Sequence, residues 1–492
     1  MYKNLIIFAM ALFLTLGASA QNKREFRGAW IQCVNGQFMG KSTQQIQSML
    51  SKQLDELEKD GVNAIIFQVR AECDALYESQ LEPWSKFLTG TQGQAPNPYW
   101  DPLAWMVEQC HKRGMEIHAW INPYRAKHGS TSMSQVSKNS VVVKQPKLCF
   151  SYDNLVLLNP GLQESADYVC KVAADIVSRY DVDGFHIDDY FYPYPVDGLD
   201  FPDSKSYKRY GEGMDRGDWR RHNVDLLIEG LHEVIEAQKP WVRLGISPFG
   251  IWRNKSSDPR GSDTNGFQNY DGLYADVLLW TEKGWVDYML PQLYWTLEKK
   301  VASSEKLAYW WNDNANGRHM YIGQNVKTTM DTPDLAPSTD PTQLDHKIRL
   351  SRELPNIQGN CWWPGYMITA NYKGVADSLA MNQQRTVALV PNYPWIDNVK
   401  PGEVTSLRRD GDRLLWKAPS TADPMQEARA YVVYRFDKGV DVNIDNAEAI
   451  QCVTYKPEYA LGADHGHFTY VVTVLDRANN ESAAGEAINV KQ

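Results

Sequence analysis

Between Glu25 and Met381 the chain repeats one pattern eight times, a short apolar run followed by an amphipathic or irregular stretch. The runs are Gly28–Gln32, Asn63–Arg70, Glu116–Asn122, Gly184–Tyr190, Arg243–Pro248, Val286–Tyr294, His319–Val326 and Gln358–Trp363. Helical periodicity is predicted at Gln44–Asp60, Leu103–Arg113, Gly161–Arg179, Val224–Gln238 and Leu344–Arg352. Strands that alternate with helices pair in parallel, because a parallel pair needs a long crossover and the helix supplies it. Eight such units predict an α/β fold, a closed (β/α)8 TIM barrel. An open doubly wound sheet is the alternative; no GxGxxG follows the first run, which counts against it.

The connections are unequal. Ala71–Trp100, Tyr124–Leu158, Phe191–Trp219 and Phe249–Asp271 all follow strands and are long, rich in Gly, Pro, Ser, Asp and aromatics. Those before strands, such as Lys59-Asp60-Gly61, are short. The C-terminal face is therefore the decorated one, where this fold carries its sites. Residues 1–20 read as a signal peptide, with Lys3, the apolar stretch Leu5–Leu16 and the small residues Ala18-Ser19-Ala20 before Gln21. The barrel is assigned to 25–389 and a Pro-containing linker to 390–402. Residues 403–492 are expected to form a small all-β unit resembling a fibronectin type III sandwich, a spacer or docking module. The mature protein is expected to be exported and soluble, in the periplasm, at the cell surface or outside the cell, with no membrane insertion.

The formal net charge is −9 and no long basic run occurs, which argues against nucleic acid or anionic lipid as a partner. Seven scattered cysteines without a CxxC pair do not suggest a disulfide framework. Aromatic residues make up 12% of the chain. They suit a large core, or a sugar cleft where pyranose faces stack on rings.

The segment "DGFHIDDYF", Asp183–Phe191, holds the strongest chemical signal. Strand alternation puts His186 and Asp188 toward the barrel mouth and Asp189 on the other side, with Phe185 and Ile187. A carboxylate at the mouth can attack an anomeric carbon or stabilise an oxocarbenium-like transition state. A structural capping Asp is the plain alternative. On the second strand Gln68, Arg70 and Glu72 share parity and face the site, with Asp74 competing. Glu72 is the expected acid partner; a shaping salt bridge between Glu72 and Arg70 is its alternative. Asp188, Glu72 and Asp189 are thus the catalytic candidates. Arg70, Asp74, His118, Trp120, Asn122, Tyr124, Arg125, His186, Gln292, Tyr294, Trp295 and Trp363, all near strand ends, are the candidate substrate ligands. No HExxH, nucleophile elbow or paired CxxC appears, so neither metal nor cofactor is expected.

The segments "REFRGAWIQ", "NAIIFQVRAECDALYES", "DPLAWMVEQCHKRGMEIHAWINPYR", "LNPG", "DGFHIDDYFYPYP" and "PQLYW" occur in order and together resemble the glycosyl-hydrolase-like 10 family of bacterial exported proteins. The resemblance covers roughly Glu25 to Met381. It implies a TIM barrel and an O-glycosidase, acting in characterised members on peptidoglycan strands stripped of stem peptides. It also implies that Glu72 and the Asp188–Asp189 pair fall where the family's acidic site residues lie. The expected partner is a polysaccharide or oligosaccharide; the alternatives are a non-catalytic glycan-binding barrel, or a hydrolase of α-linked host or dietary glycans.

Overall fold

The computed structural model describes residues 21–335 and 340–492. The expected signal peptide, 1–20, lies outside the described residues. Eight parallel strands close into a barrel: β1 Phe26–Ile31, β2 Ala64–Arg70, β3 Glu116–Ile121, β4 Gly184–Ile187, β5 Arg243–Ile246, β6 Tyr288–Met289, β7 His319–Asn325 and β8 Ile357–Trp363. Each pairs with its neighbours in chain order, and β8 closes the ring on β1. All eight predicted strands are present and the sheet is closed, so the doubly wound alternative falls.

The deviations are local. β6 is two residues long because Pro291 has no N–H to continue the ladder. The helix predicted from Val224 starts at Arg216, where the Asp215 side chain accepts from the N–H of Gly217 and caps it. Helices Val277–Lys283 and Ser304–Asp313 complete the outer ring and were not anticipated.

Two apolar layers follow from strand alternation. Residues such as Ile65, Phe67, Ile117, Phe185, Ile187 and Leu244 point outward beneath the helices. Phe26, Trp30, Ile66, Trp120, Tyr288 and Tyr321 fill the interior. Large rings fit inside an eight-stranded barrel only where neighbouring strands contribute small residues. A Cβ on Gly184 would lie 2.4 Å from the His118 ring, and one on Gly245 1.8 Å from the Tyr288 ring. Those glycines are the space that the two rings occupy.

Beyond the barrel, three strands (β9 Thr405–Asp410, β10 Arg413–Lys417, β13 Glu458–Ala460) and four (β11 Ala430–Asp437, β12 Ile450–Thr454, β14 His467–Leu475, β15 Ile488–Lys491) form two antiparallel sheets. This part packs against the N-terminal end of the barrel. Arg429 ion-pairs with Asp183 at 2.6 Å and Asn479 Nδ2 donates to Glu116 at 2.8 Å. From 390–402, Trp395 Nε1 donates to Asp287 at 2.8 Å and Tyr393 meets the hydroxyl of Tyr321 at 2.7 Å. Among the described residues no helix is long and apolar enough to cross a membrane.

Gly245→Ala tests the interior packing. Overpacking of this kind costs about 1–3 kcal/mol, so the thermal midpoint should fall by several degrees. An unchanged melt would mean that Tyr288 can move aside.

Candidate active site

A cavity of about 650 Å³ opens at the C-terminal ends of the strands. That volume fits a small oligosaccharide segment. Eight predicted residues line it: Glu72, Trp120, Arg125, Asp188, Asp189, Gln292, Tyr294 and Trp363. Gln68, whose parity pointed the same way, does too.

The carboxyls are set by the loops. β4 ends at Ile187 and the chain bends at Asp189, so strand alternation no longer separates the two acids. Asp189 was expected to face away; instead it lines the cavity beside Asp188. Asp188 accepts from Trp120 Nε1 at 3.1 Å and Asn122 Nδ2 at 3.3 Å. Asp189 accepts from the Tyr194 hydroxyl. Glu72 accepts from Thr131 Oγ1 at 2.9 Å and has Lys86 Nζ at 3.8 Å.

Burial dominates the electrostatics. It drives the Asp188 carboxyl up to about 7, helped by the charge of Asp189 and opposed by Arg125 and Trp120. Burial lifts Asp189 to about 6, against its hydrogen bonds from Tyr194 and Gln292. Burial and then Asp74 raise Glu72, with Lys86 and Thr131 opposing. Two adjacent acids buried in one wall together gain proton affinity toward neutral pH.

Seven predicted ligands are not in the cavity wall. Arg70 shares parity with Gln68, but the register shifts between them and turns Arg70 away. It is wholly buried, with two hydrogen bonds to Glu82 at 2.7 and 2.8 Å, so the expected Arg70–Glu72 salt bridge does not form. Asp74 accepts from the N–H of Glu72 at 3.0 Å and shapes the loop from within. Tyr124 is core. Trp295 packs edge-on against Phe249, outside the cavity. His118 and His186 sit inside the barrel, below the mouth. Asn122 is buried and reaches the site only through Asp188.

Trp30, Lys86, His128, Tyr190, Tyr194 and Ser247 also line the cavity and were missed. Trp30 and Ser247 were accessible by counting in steps of two from the inward positions Gly28 and Gly245. Lys86 arrives on a four-residue helix capped by Ser85, which no local pattern announces. Arg125 lies over the Tyr190 ring at 4.4 Å and forms no carboxylate ion pair among the described residues.

Asp189→Asn tests the coupling. Removing the like charge should lower the Asp188 midpoint in a ¹³C carboxyl titration. A native acid with a raised pKa binds more protons than the unfolded chain between about pH 4 and 7, so its stability contribution is lost as pH rises through that window. The variant should thus be more stable than wild type at pH 8, by roughly 1–3 kcal/mol, with no gain at pH 4. An unmoved Asp188 midpoint would show that the pair is not coupled.

The glycosyl hydrolase-like 10 family matches residues 25–336. The chain is 37% identical over 499 residues to glycosyl hydrolase YngK of Bacillus subtilis (strain 168), covering 98% of this chain and 97% of that one. It is 35% identical over 367 residues to glycosyl hydrolase DigH of Escherichia coli (strain K12), covering 69% of this chain and 82% of that one. The PgaB (BpsB) glycoside hydrolase domain from Bordetella bronchiseptica superposes with a TM-score of 0.46 at 10% identity, over 73% of this chain and 99% of that one, too distant to bear on the site. With 312 consecutive residues matched to one family profile and a full-length relative above one-third identity, the chain belongs to the glycosyl hydrolase-like 10 family.

Proposed function

We propose that this glycosidase hydrolyses O-glycosidic bonds of bacterial cell-wall glycan, peptidoglycan strands lacking stem peptides, with Asp188 and Glu72 as its working carboxyls. The observation that carries the mechanism is the Asp188–Asp189 pair, buried in one cavity wall and raised into the neutral range. A general acid works best when its pKa lies near the working pH. That favours Asp188 as the group that protonates the leaving oxygen, with Asp189 keeping its proton affinity high. Glu72 is raised as well, but Lys86 and Thr131 oppose the rise, which favours it over Asp188 for the charged role of nucleophile or base. This reverses the roles expected from sequence, where Glu72 was the acid.

The walls support a sugar. Trp30 and Trp120 each meet Trp363 edge to face, at 6.3 and 6.1 Å, and offer apolar surface to pyranose rings. Arg125 supports the carboxylated substrate: its guanidinium is free to pair with a lactyl carboxylate of muramic acid. Lys127 and Arg253 also lie on loops of this face. However, Lys127 is held by three backbone carbonyls and Arg253 by Asp271 and Asp258. Residues 403–492 we read as a fibronectin type III-like unit, supported by their three-plus-four strand arrangement. An export signal at 1–20 would take the enzyme to such a substrate.

Product analysis on denuded peptidoglycan, chitin oligosaccharide and an α-glucan tests the reading. Wild type should release reducing ends from the first. Asp188→Asn and Glu72→Gln should each lower kcat by about 10²–10⁴-fold. Arg125→Ala should raise KM for the carboxylated strands and leave any chitin turnover unchanged. Undiminished hydrolysis by both carboxyl variants would rule the mechanism out; preference for α-glucan would rule the substrate out.

A further inference from the structure

His186 and His118 look like site residues in the sequence, yet both are wholly buried inside the barrel. A chain of hydrogen bonds connects them from the cavity wall to the barrel floor. Ser247 Oγ lies 2.9 Å from His186 Nε2. The other nitrogen, His186 Nδ1, is 3.0 Å from the Tyr288 hydroxyl. That hydroxyl is 2.8 Å from His118 Nδ1, and His118 Nε2 is 3.2 Å from Glu116 Oε2. At the floor Glu116 ion-pairs with Arg243 and accepts from Asn479.

The direction of this chain follows from counting protons. Arg243 holds the Glu116 carboxyl ionised against its burial, and a carboxylate only accepts. His118 Nε2 therefore carries a hydrogen and donates. A hydroxyl has one hydrogen, so Tyr288 donates to one imidazole and accepts from the other. With His118 neutral, its Nδ1 is bare and Tyr288 donates to it. His186 Nδ1 must then donate to Tyr288, leaving His186 Nε2 bare, and the Ser247 hydroxyl hydrogen points inward to it. A cationic His118 would keep its bond to Glu116 and reverse the three bonds above it, those to Tyr288, His186 and Ser247. The floor opposes that state: Glu116 is already matched by Arg243, and Asp183 by Arg429, so a further buried cation would have no counter-charge. Burial also holds His186 well below the usual histidine range, so it is neutral.

Ser247 has one polar function left. Its N–H donates to Ile187 O at 2.9 Å and its carbonyl accepts from Gln292 Nε2 at 2.9 Å. With the hydroxyl hydrogen committed inward, only the Oγ lone pairs remain for the cavity that Ser247 lines. We propose that Ser247 is a substrate-binding acceptor for a sugar hydroxyl or acetamido N–H, its polarity fixed from the barrel floor by Glu116 through His118, Tyr288 and His186. The ligand class rests on the glycan reading given above; the polarity does not. His186, Tyr288 and His118 are positioning residues, acting through Ser247.

Long-range ¹H–¹⁵N spectra of the full chain labelled in histidine test the polarity directly. His186 should carry its proton on Nδ1 and His118 on Nε2, and Tyr288→Phe should loosen both preferences. A proton on His186 Nε2 in wild type would overturn the proposal. Kinetics on denuded peptidoglycan test the acceptor. Ser247→Ala should lower kcat/KM by about tenfold, with Ser247→Thr, which keeps the hydroxyl, recovering most of the loss. Tyr288→Phe should give a similar loss, and the double variant should be no worse than either single one. Additive losses, or full activity in Ser247→Ala, would count against the relay while leaving the hydrolase reading intact. If wild type cleaves no glycan, the hydrolase reading fails and the histidine tautomers alone decide the polarity.

Discussion

Everything in this molecule depends on how the inside of an eight-stranded barrel is filled. Closure forces half of each strand's side chains into a narrow column, and that column must pack without voids. Here the column is partly polar: two histidines and a tyrosine share hydrogen bonds where most barrels place branched aliphatics. Gly184 and Gly245 make the room for these rings. Because each polar atom in the column has a partner, its burial is tolerated. The same packing fixes the height of the cavity floor on which Ser247 and Trp120 stand.

Carboxyls at the two ends of the barrel behave in opposite ways for one physical reason. Asp183 precedes β4 and Asp188 follows it; both are buried. At the floor, burial alone would raise Asp183, but Arg429 and His111 outweigh it and hold the acid well below the usual range. At the mouth no cation touches Asp188, and a second acid stands beside it, so burial wins. Close ion pairs secure the lower end, whereas at the upper end, among the described residues, only Glu72 has a cation, Lys86, near it and the Asp188–Asp189 pair has none in contact. The sheets after the barrel belong to the first of these tasks, since Arg429 and Asn479 meet the floor charges directly.

The barrel was legible because its signal is repetitive and each strand carries it locally. Eight apolar runs and the long loops after them suffice for the strand order and for the face on which the cavity opens. Site residues were legible only as far as strand alternation lasts. It put Gln68 and Trp120 on the side that lines the cavity, but it sent His186 to the mouth, whereas that ring lies inside the barrel below the cavity. It failed at Arg70, where the β2–β3 register shifts, and at Asp189, where β4 has already ended. Lys86 and Tyr194 come from loops whose course is set by contacts distant in sequence.

The sequence by itself determined the class of fold, the end of the barrel that carries the long loops, and the residue types available there, because periodicity and loop length are properties of the chain. Only the tertiary structure decided which of those residues share a cavity, that Asp188 and Asp189 act on each other, and that the histidines lie beneath the site. Those outcomes depend on burial and on through-space distance. Both are created when strands far apart in sequence close into one ring.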